Sequence, residues 1–230
     1  MKIRILIVTV LLAGLAVPAF ANSDRQHDIQ RIRSSRLAFQ EIMSAPDKSI
    51  PQELLESAKC IAIIPGEKRL AFVFGGRYGK GLVTCHTGHG WSAPAFLMLG
   101  GGSFGFQIGG SSTDIIMIFR KNNGIDHLLS DKFTLGADAS AAAGPVGRNA
   151  AAATDAEMHA EILTYSRSRG VFAGISLNGA VVKPDRSGDH ALYGANVGHT
   201  EILDGRVGIP ATARGLVDVI ARDTREAGGE

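Results

Sequence analysis

Few residues of this chain have types and spacing that suit catalysis, and most of those fail on context. Gly101-Gly102-Ser103-Phe104-Gly105 has the G-x-S-x-G spacing of a nucleophile elbow. That motif sets a serine on a tight turn between a strand and a helix for acyl transfer. Here a glycine run precedes Ser103 and strand-forming residues follow it, so the segment reads as a sheet turn. His127, His159, His190 and His199 could each serve as a base, but no neighbouring residues select one. Cys85, His86 and His89 resemble metal ligands. A zinc site needs four closed ligands, or three and a water, and Cys85 has Cys60 as a competing disulfide partner. The glycine clusters at 75–81 and 100–110 lack the Lys-Ser or Lys-Thr ending and the βαβ frame of a phosphate loop. Asp138, Asp155 and Glu157 could form a carboxylate cluster, although Asp155 after Thr154 serves equally well as a cap. The expectation is a non-enzymatic chain with no catalytic residues, no metal and no cofactor.

Arginines offer a different chemistry. Arg25, Arg31, Arg33 and Arg36 crowd the first half of a stretch in which Ile29, Ile32, Phe39 and Ile42 recur on one helical face. Such a helix can lie in a membrane interface with its apolar face buried and its cations near phosphates. It can equally pack on a domain with its arginines solvated. Arg167 and Arg169 share one strand face roughly 7 Å apart, and Arg148 in GPVGR could join them. Guanidinium forks suit phosphate oxygens. Salt bridges to Asp138, Asp155 or Glu157 are the structural alternative.

The elements that must hold these residues follow from the pattern. Residues 1–21 read as a secretory leader: Lys2 and Arg4, the apolar Ile5–Val17, then the small-x-small site Ala19-Phe20-Ala21. Cleavage after Ala21 would leave a periplasmic or secreted chain and take the formal charge from +2 to 0. A nucleic-acid partner is not expected, because the basic footprint it needs is missing. A helix is expected over Asp24–Met43 and a short one over Pro51–Lys59. Strands are expected at 60–64, 70–74, 81–86, 91–98, 104–109 and 113–119, with Gly75-Gly76 and Gly100-Gly101-Gly102 as stops. A short helix at 125–132 and strands at 160–169 and 171–177 follow. The second of these strands has Val171, Ala173, Ile175 and Leu177 facing inward. Asn178-Gly179 turns into 180–182, Pro184–His190 is a loop, Pro210–Ile220 is a helix, and 225–230 is a disordered tail. The class is α+β, mainly antiparallel, with a curled or barrel-like sheet of many short strands and helices at both ends. Two cysteines in an exported chain invite a Cys60–Cys85 disulfide. A plain meander would hold them at opposite ends, another strand order would join them, and two buried thiols are the alternative.

Nine segments, in order, resemble the SYLF (Ysc84-type) family of lipid-binding domains. They are IAIIPG (61–66), FGGRYGKG (74–81), GWSAPAF (90–96), GGSFGFQIGG (101–110), TD (113–114), LGADAS (135–140), AGPVGR (143–148), TYSRSRGVFAGISL (164–177) and LYGANV (192–197). The match runs over about 50–220 and is similar to an exported bacterial branch. Eukaryotic members bind phosphoinositides, some touch actin, and many carry SH3 or FYVE modules. A basic amphipathic helix ahead of the domain contributes to their membrane binding. The resemblance therefore implies a helix at 22–49 and a lipid-binding domain at 50–224. It implies an anionic phospholipid as ligand and, for an exported protein, no actin partner. Arg31, Arg33 and Arg36 would meet phosphates while Ile29, Ile32 and Phe39 insert, with Arg148, Arg167 and Arg169 as a second basic group. The other reading is a structural or interaction module of the cell envelope with a protein partner.

Overall fold

Strand periodicity in this chain runs through the glycines that were expected to stop it. A computed structural model describes residues 18–44, 50–71, 74–104, 109–146, 159–168 and 171–225. Its elements are α1 (Pro18–Met43), α2 (Gln52–Glu56), β1 (Cys60–Ala71), β2 (Phe74–Thr87), β3 (Gly90–Trp91), β4 (Ala95–Phe104), β5 (Gly109–Phe119), α3 (Asn122–Leu129), β6 (Phe133–Thr134), β7 (Ala141–Ala143), β8 (Ile162–Ser168), β9 (Val171–Gly174), β10 (Val181–Pro184), α4 (Arg186–Tyr193), α5 (His199–Leu203) and α6 (Ala211–Asp223). Among the described residues the strands form one curled sheet in the order β6-β10-β4-β2-β1-β5-β8-β7, with β3 on β2 and β9 on β8. All the pairings are antiparallel except β7 with β8. The α+β class with a curled, mainly antiparallel sheet is therefore the architecture of the chain.

The central strands are longer than expected. The expected strands at 60–64 and 70–74 are not two elements: β1 runs from Cys60 to Ala71 through a register shift between Ile63 and Lys68, and Phe74 begins β2. Gly66 supplies the positive φ there (62°), as a bulge requires. Gly75 and Gly76 stay in β2, opposite Ala71 and Leu70. Gly100, Gly101 and Gly102 stay in β4 opposite Tyr78, Arg77 and Gly76. A Cβ on Gly101 would come within 3.1 Å of the Ala180 backbone, so the missing side chain lets the backbone beside β10 approach closely.

Continuity of β1 resolves the cysteine geometry. Cys60 lies directly opposite Cys85 in the β1–β2 ladder, and the two form a disulfide with Cα atoms 4.0 Å apart. The strand between them is not a separate element, so the meander that would have parted them does not exist.

Two apolar layers cover the sheet. Strand alternation sends Ile61, Ile63, Leu82, Phe96, Ile116, Ile118, Leu163 and Tyr165 to one face, where they meet α1, α2 and α6. Cys60, Ala62, Ile64, Val83, Leu97, Leu99, Ile115 and Met117 go to the other, packed with Phe133, Val182, Ile202 and Leu203. From α1, Ile32, Phe39 and Ile42 are fully buried in the first layer. From α6, Ala213, Leu216, Val217 and Ile220 join them.

Other differences are local. α1 begins at Pro18, not Asp24, so the expected cleavage point after Ala21 falls in its first turn, while residues 1–17 lie outside the described set. In β9 the buried residue is Phe172, stacked on Tyr165 at 5.5 Å, and Val171 is 65 % exposed. The inward face expected of Val171, Ala173, Ile175 and Leu177 therefore starts one residue out of phase, because the ring of Tyr165 selects Phe172. The expected loop at 184–190 is largely α4, α5 is an additional helix, and β10 pairs with β4 and β6 instead of returning onto β9. Residues 226–230 of the expected tail lie outside the described residues.

Candidate docking cleft beside the first helix

The buried stripe of α1 fixes what its other side presents. With Ile32, Phe39 and Ile42 turned into the domain, Leu37 faces outward across a cleft of about 520 Å3 bounded by the start of the β1–β2 far end. Arg31, Lys68, Tyr78 and Lys80 also line it. Tyr78 and Lys80 alternate with Leu82 on the strand face that α1 covers, and Lys68 lies directly opposite Tyr78. Leu37 is 56 % exposed and Tyr78 52 %, two of the three large hydrophobic side chains so exposed among the described residues. The Tyr78 hydroxyl donates a weak contact to Met98 Sδ at 3.9 Å. An exposed aromatic and an exposed aliphatic side chain at one cleft are unusual enough to mark an interaction surface.

Charge at this cleft is sorted into paired and unpaired groups. Arg167 binds both Asp114, at 3.3 Å, and Glu41. Arg31 pairs with Asp28 at 3.1 Å and Asp185 at 3.3 Å, and Lys80 holds Asp185 at 2.8 Å. Glu41, Asp114, Asp28 and Asp185 thus each have a cation, and no group of acids, histidines or cysteines suited to a metal ion occurs among the described residues. Of the Lys and Arg side chains that line the cleft, Lys68 has no acid partner among the described residues, so the unpaired charge of the lining is positive. Burial pushes the Asp28 carboxyl above its usual range, against the charge of Arg31. Burial would also raise Asp185, but hydrogen bonds from Lys80 and Ser187 and the charges of Lys80 and Arg31 outweigh it, and its pKa is lowered.

The residues singled out from sequence are spread across different roles. Ile32 and Phe39 are core residues and Ile29 is half-buried, so inserting them into lipid would require α1 to leave the domain. Arg31 is a partly buried bridge to Asp185 with its guanidinium 5.2 Å from the Phe96 ring centroid. Arg33 is exposed, and the exposed Arg36 bonds Gln40. Arg167 is ion-paired, to Asp114 and Glu41 and not to Asp138, Asp155 or Glu157. Asp138 accepts from the Thr134 amide in a turn. Arg148, Arg169, Asp155 and Glu157 lie outside the described residues. Ser103 stands within β4 opposite Gly75, not on a strand-to-helix turn, and Cys85 is bonded to Cys60 and cannot be a thiolate ligand. Leu37, Lys68 and Tyr78 were missed. The signal was present: Leu37 interrupts the polar face of the helix, and Tyr78 and Lys80 share strand parity.

A family model described as "Ysc84: Las17-binding protein actin regulator" matches residues 100–223. The chain is 37 % identical over 175 residues to SH3 domain-containing protein PJ696.02 of Schizosaccharomyces pombe, covering 74 % of this chain and 40 % of that protein. It is 34 % identical over 178 residues to LAS seventeen-binding protein 3 of Saccharomyces cerevisiae (76 % and 39 %). It is 32 % identical over 186 residues to SH3 domain-containing YSC84-like protein 1 of Homo sapiens (79 % and 54 %). The chain therefore spans from about two fifths to about half of the length of these relatives. The family description overturns the expectation that actin has no place among the partners, which rested on export and not on any residue. On these matches the chain belongs to the Ysc84, or SYLF, family of binding domains.

Proposed function

We propose that this chain is an exported, non-catalytic docking domain that binds anionic phospholipid through the cleft beside α1. The observation that carries the reading is the meeting, in one cleft, of two exposed apolar side chains, Leu37 and Tyr78, with Lys68, a cation that has no acid partner among the described residues. An anionic leaflet attracts each Lys or Arg near its surface by about 1 kcal/mol, and apolar side chains at the same edge add burial in the headgroup region. The disulfide supports an oxidising compartment. In this reading α1 stays docked, and its exposed side, not its apolar stripe, meets the membrane.

Co-sedimentation with neutral and anionic vesicles at low and physiological salt tests it. Binding restricted to anionic vesicles and weakened by salt is the expected result, and no binding to either vesicle would overturn it. A second reading, an actin-related protein partner, is favoured by the family description. Pelleting with actin filaments, in parallel and without vesicles, distinguishes it.

A further inference from the structure

Four charged side chains at the back of the cleft cancel one another. Arg31 Nη1 sits 3.1 Å from Asp28 Oδ1 and 3.3 Å from Asp185 Oδ2, and Lys80 Nζ is 2.8 Å from the same Asp185 oxygen. Arg31 and Lys80 line the cleft, while Asp28 and Asp185 are buried behind them. Two cations that face the cleft are thus neutralised from the inside. The two acids are not equivalent. Asp185 is held by Arg31, by Lys80 and by the Ser187 hydroxyl at 2.7 Å. Among the described residues Asp28 has one direct ion pair, to Arg31.

We propose that Asp28 is an acid-sensitive gate on this surface: on taking up a proton it releases its share of Arg31, which joins Lys80 and Lys68 in binding the phosphate of an anionic lipid headgroup. The proposal rests on the cleft being the lipid-facing surface. The groups that face Asp28 are Asp24 and Arg31 from α1, Lys80 from β2 and Asp185 from the segment before α4, with His27 beside it on the cleft. Burial, with Asp185 and Asp24, raises the Asp28 carboxyl against the pull of Arg31 and Lys80, whereas Asp185 is lowered. As pH falls from neutral, Asp28 therefore protonates first and the cluster passes from neutral to a net positive charge. The sign for folding agrees. An aspartate raised in the folded state costs stability while ionised, and the cost is relieved as pH falls through its folded pKa. The gate therefore opens without loosening α1, which Asp185 still ties through Arg31. Linkage adds the converse: an anion that competes for Arg31 raises the proton affinity of Asp28.

The test is sedimentation of the chain with phosphatidylcholine vesicles, with and without phosphatidylglycerol, at about pH 7.5 and about pH 4, the upper end of the ordinary aspartate range. The phosphodiester stays ionised at both. Binding to the anionic vesicles should tighten about fivefold on acidification, the gain of one added cation near an anionic surface. Asp28→Asn should bind at neutral pH as the parent does in acid and keep little further acid gain. His27→Gln should retain the gain. Arg31→Gln should lose it, which keeps the test decisive if Asp28→Asn folds poorly in a thermal melt. Salt-sensitive anionic binding with the same acid gain in Asp28→Asn and Arg31→Gln overturns the gate and leaves the docking reading standing. Absence of binding at both pH values overturns both.

Discussion

At one end of the β1–β2 pair Cys60 lies opposite Cys85, and past its register shift Lys68 lies opposite Tyr78. The same antiparallel ladder runs through both. At the cysteine end both faces are covered: Ile61 and Ile63 enter one apolar layer, Ala62 and Ile64 the other, and the disulfide closes the pair. Past the bulge at Pro65-Gly66 the covering stops. Lys68 is exposed, Tyr78 is half-exposed, and on the other face Glu67 is buried between Arg69 and Arg77, at 3.4 and 3.3 Å. Burial raises the Glu67 carboxyl against the charge of Arg69. The comparison separates what holds the fold from what is left to meet a partner. Thr84 is buried at the closed end with its hydroxyl bonded to Ser92, but the Lys, Arg and Glu side chains of the pair stand only at or beyond the bulge, so the open end is where charged recognition can sit without cost to the core.

The contrast is broken most severely at the closed end. Replacing Cys60 and Cys85 together with Ala removes a cross-link over a sequence separation of 25, worth about 3.5 kcal/mol in the chain-entropy model. Denaturant unfolding should show a loss of that size, and reduction of the parent should reproduce it. An unchanged midpoint would mean that the ladder alone holds this end. Next in size is Asp185→Asn, which leaves Lys80 and Arg31 with a buried neutral partner and should cost roughly 3 kcal/mol. Because the Asp185 pKa is lowered on folding, its contribution is present above the unfolded value and lost as pH falls through the folded one. The difference between parent and Asp185→Asn should therefore shrink in strong acid. Asp28→Asn should cost clearly less at neutral pH, since an ionised Asp28 is itself a burden. Equal losses for the two variants would contradict the asymmetry of the cluster.

Much of this division was written locally, and the rest was not. The α1 stripe is visible because Ile32, Phe39 and Ile42 repeat at helical spacing, and they are the buried residues. The stripe does not say whether it meets lipid or protein, because both are apolar. Arg31 and Arg33 look alike in sequence, yet roughly 200° of helical rotation separates them. One finds Asp185, 154 residues away, and the other finds solvent. Glycine misled for a similar reason. Gly101 reads as a stop, but its meaning is the nearness of Ala180, a contact made by a strand far along the chain. The disulfide partners were legible from composition, whereas their geometry depended on β1 running unbroken through the bulge at Gly66.

The smallest effects on stability should give the clearest effects on binding. Tyr78 and Leu37 are more than half exposed, so Tyr78→Ser and Leu37→Ser should change unfolding free energy by no more than about 0.5 kcal/mol each. Lys68→Gln should change it no more, because Lys68 has no acid partner among the described residues. On anionic vesicles the three should act differently. Lys68→Gln removes a charge, so its loss of affinity should be several-fold at low salt and fade as salt rises. Tyr78→Ser and Leu37→Ser remove apolar burial, so their losses should persist at every salt concentration. Identical salt profiles for the charge and apolar variants would show that this face acts by net charge alone, and the two exposed side chains would then belong to a protein partner and not to a membrane.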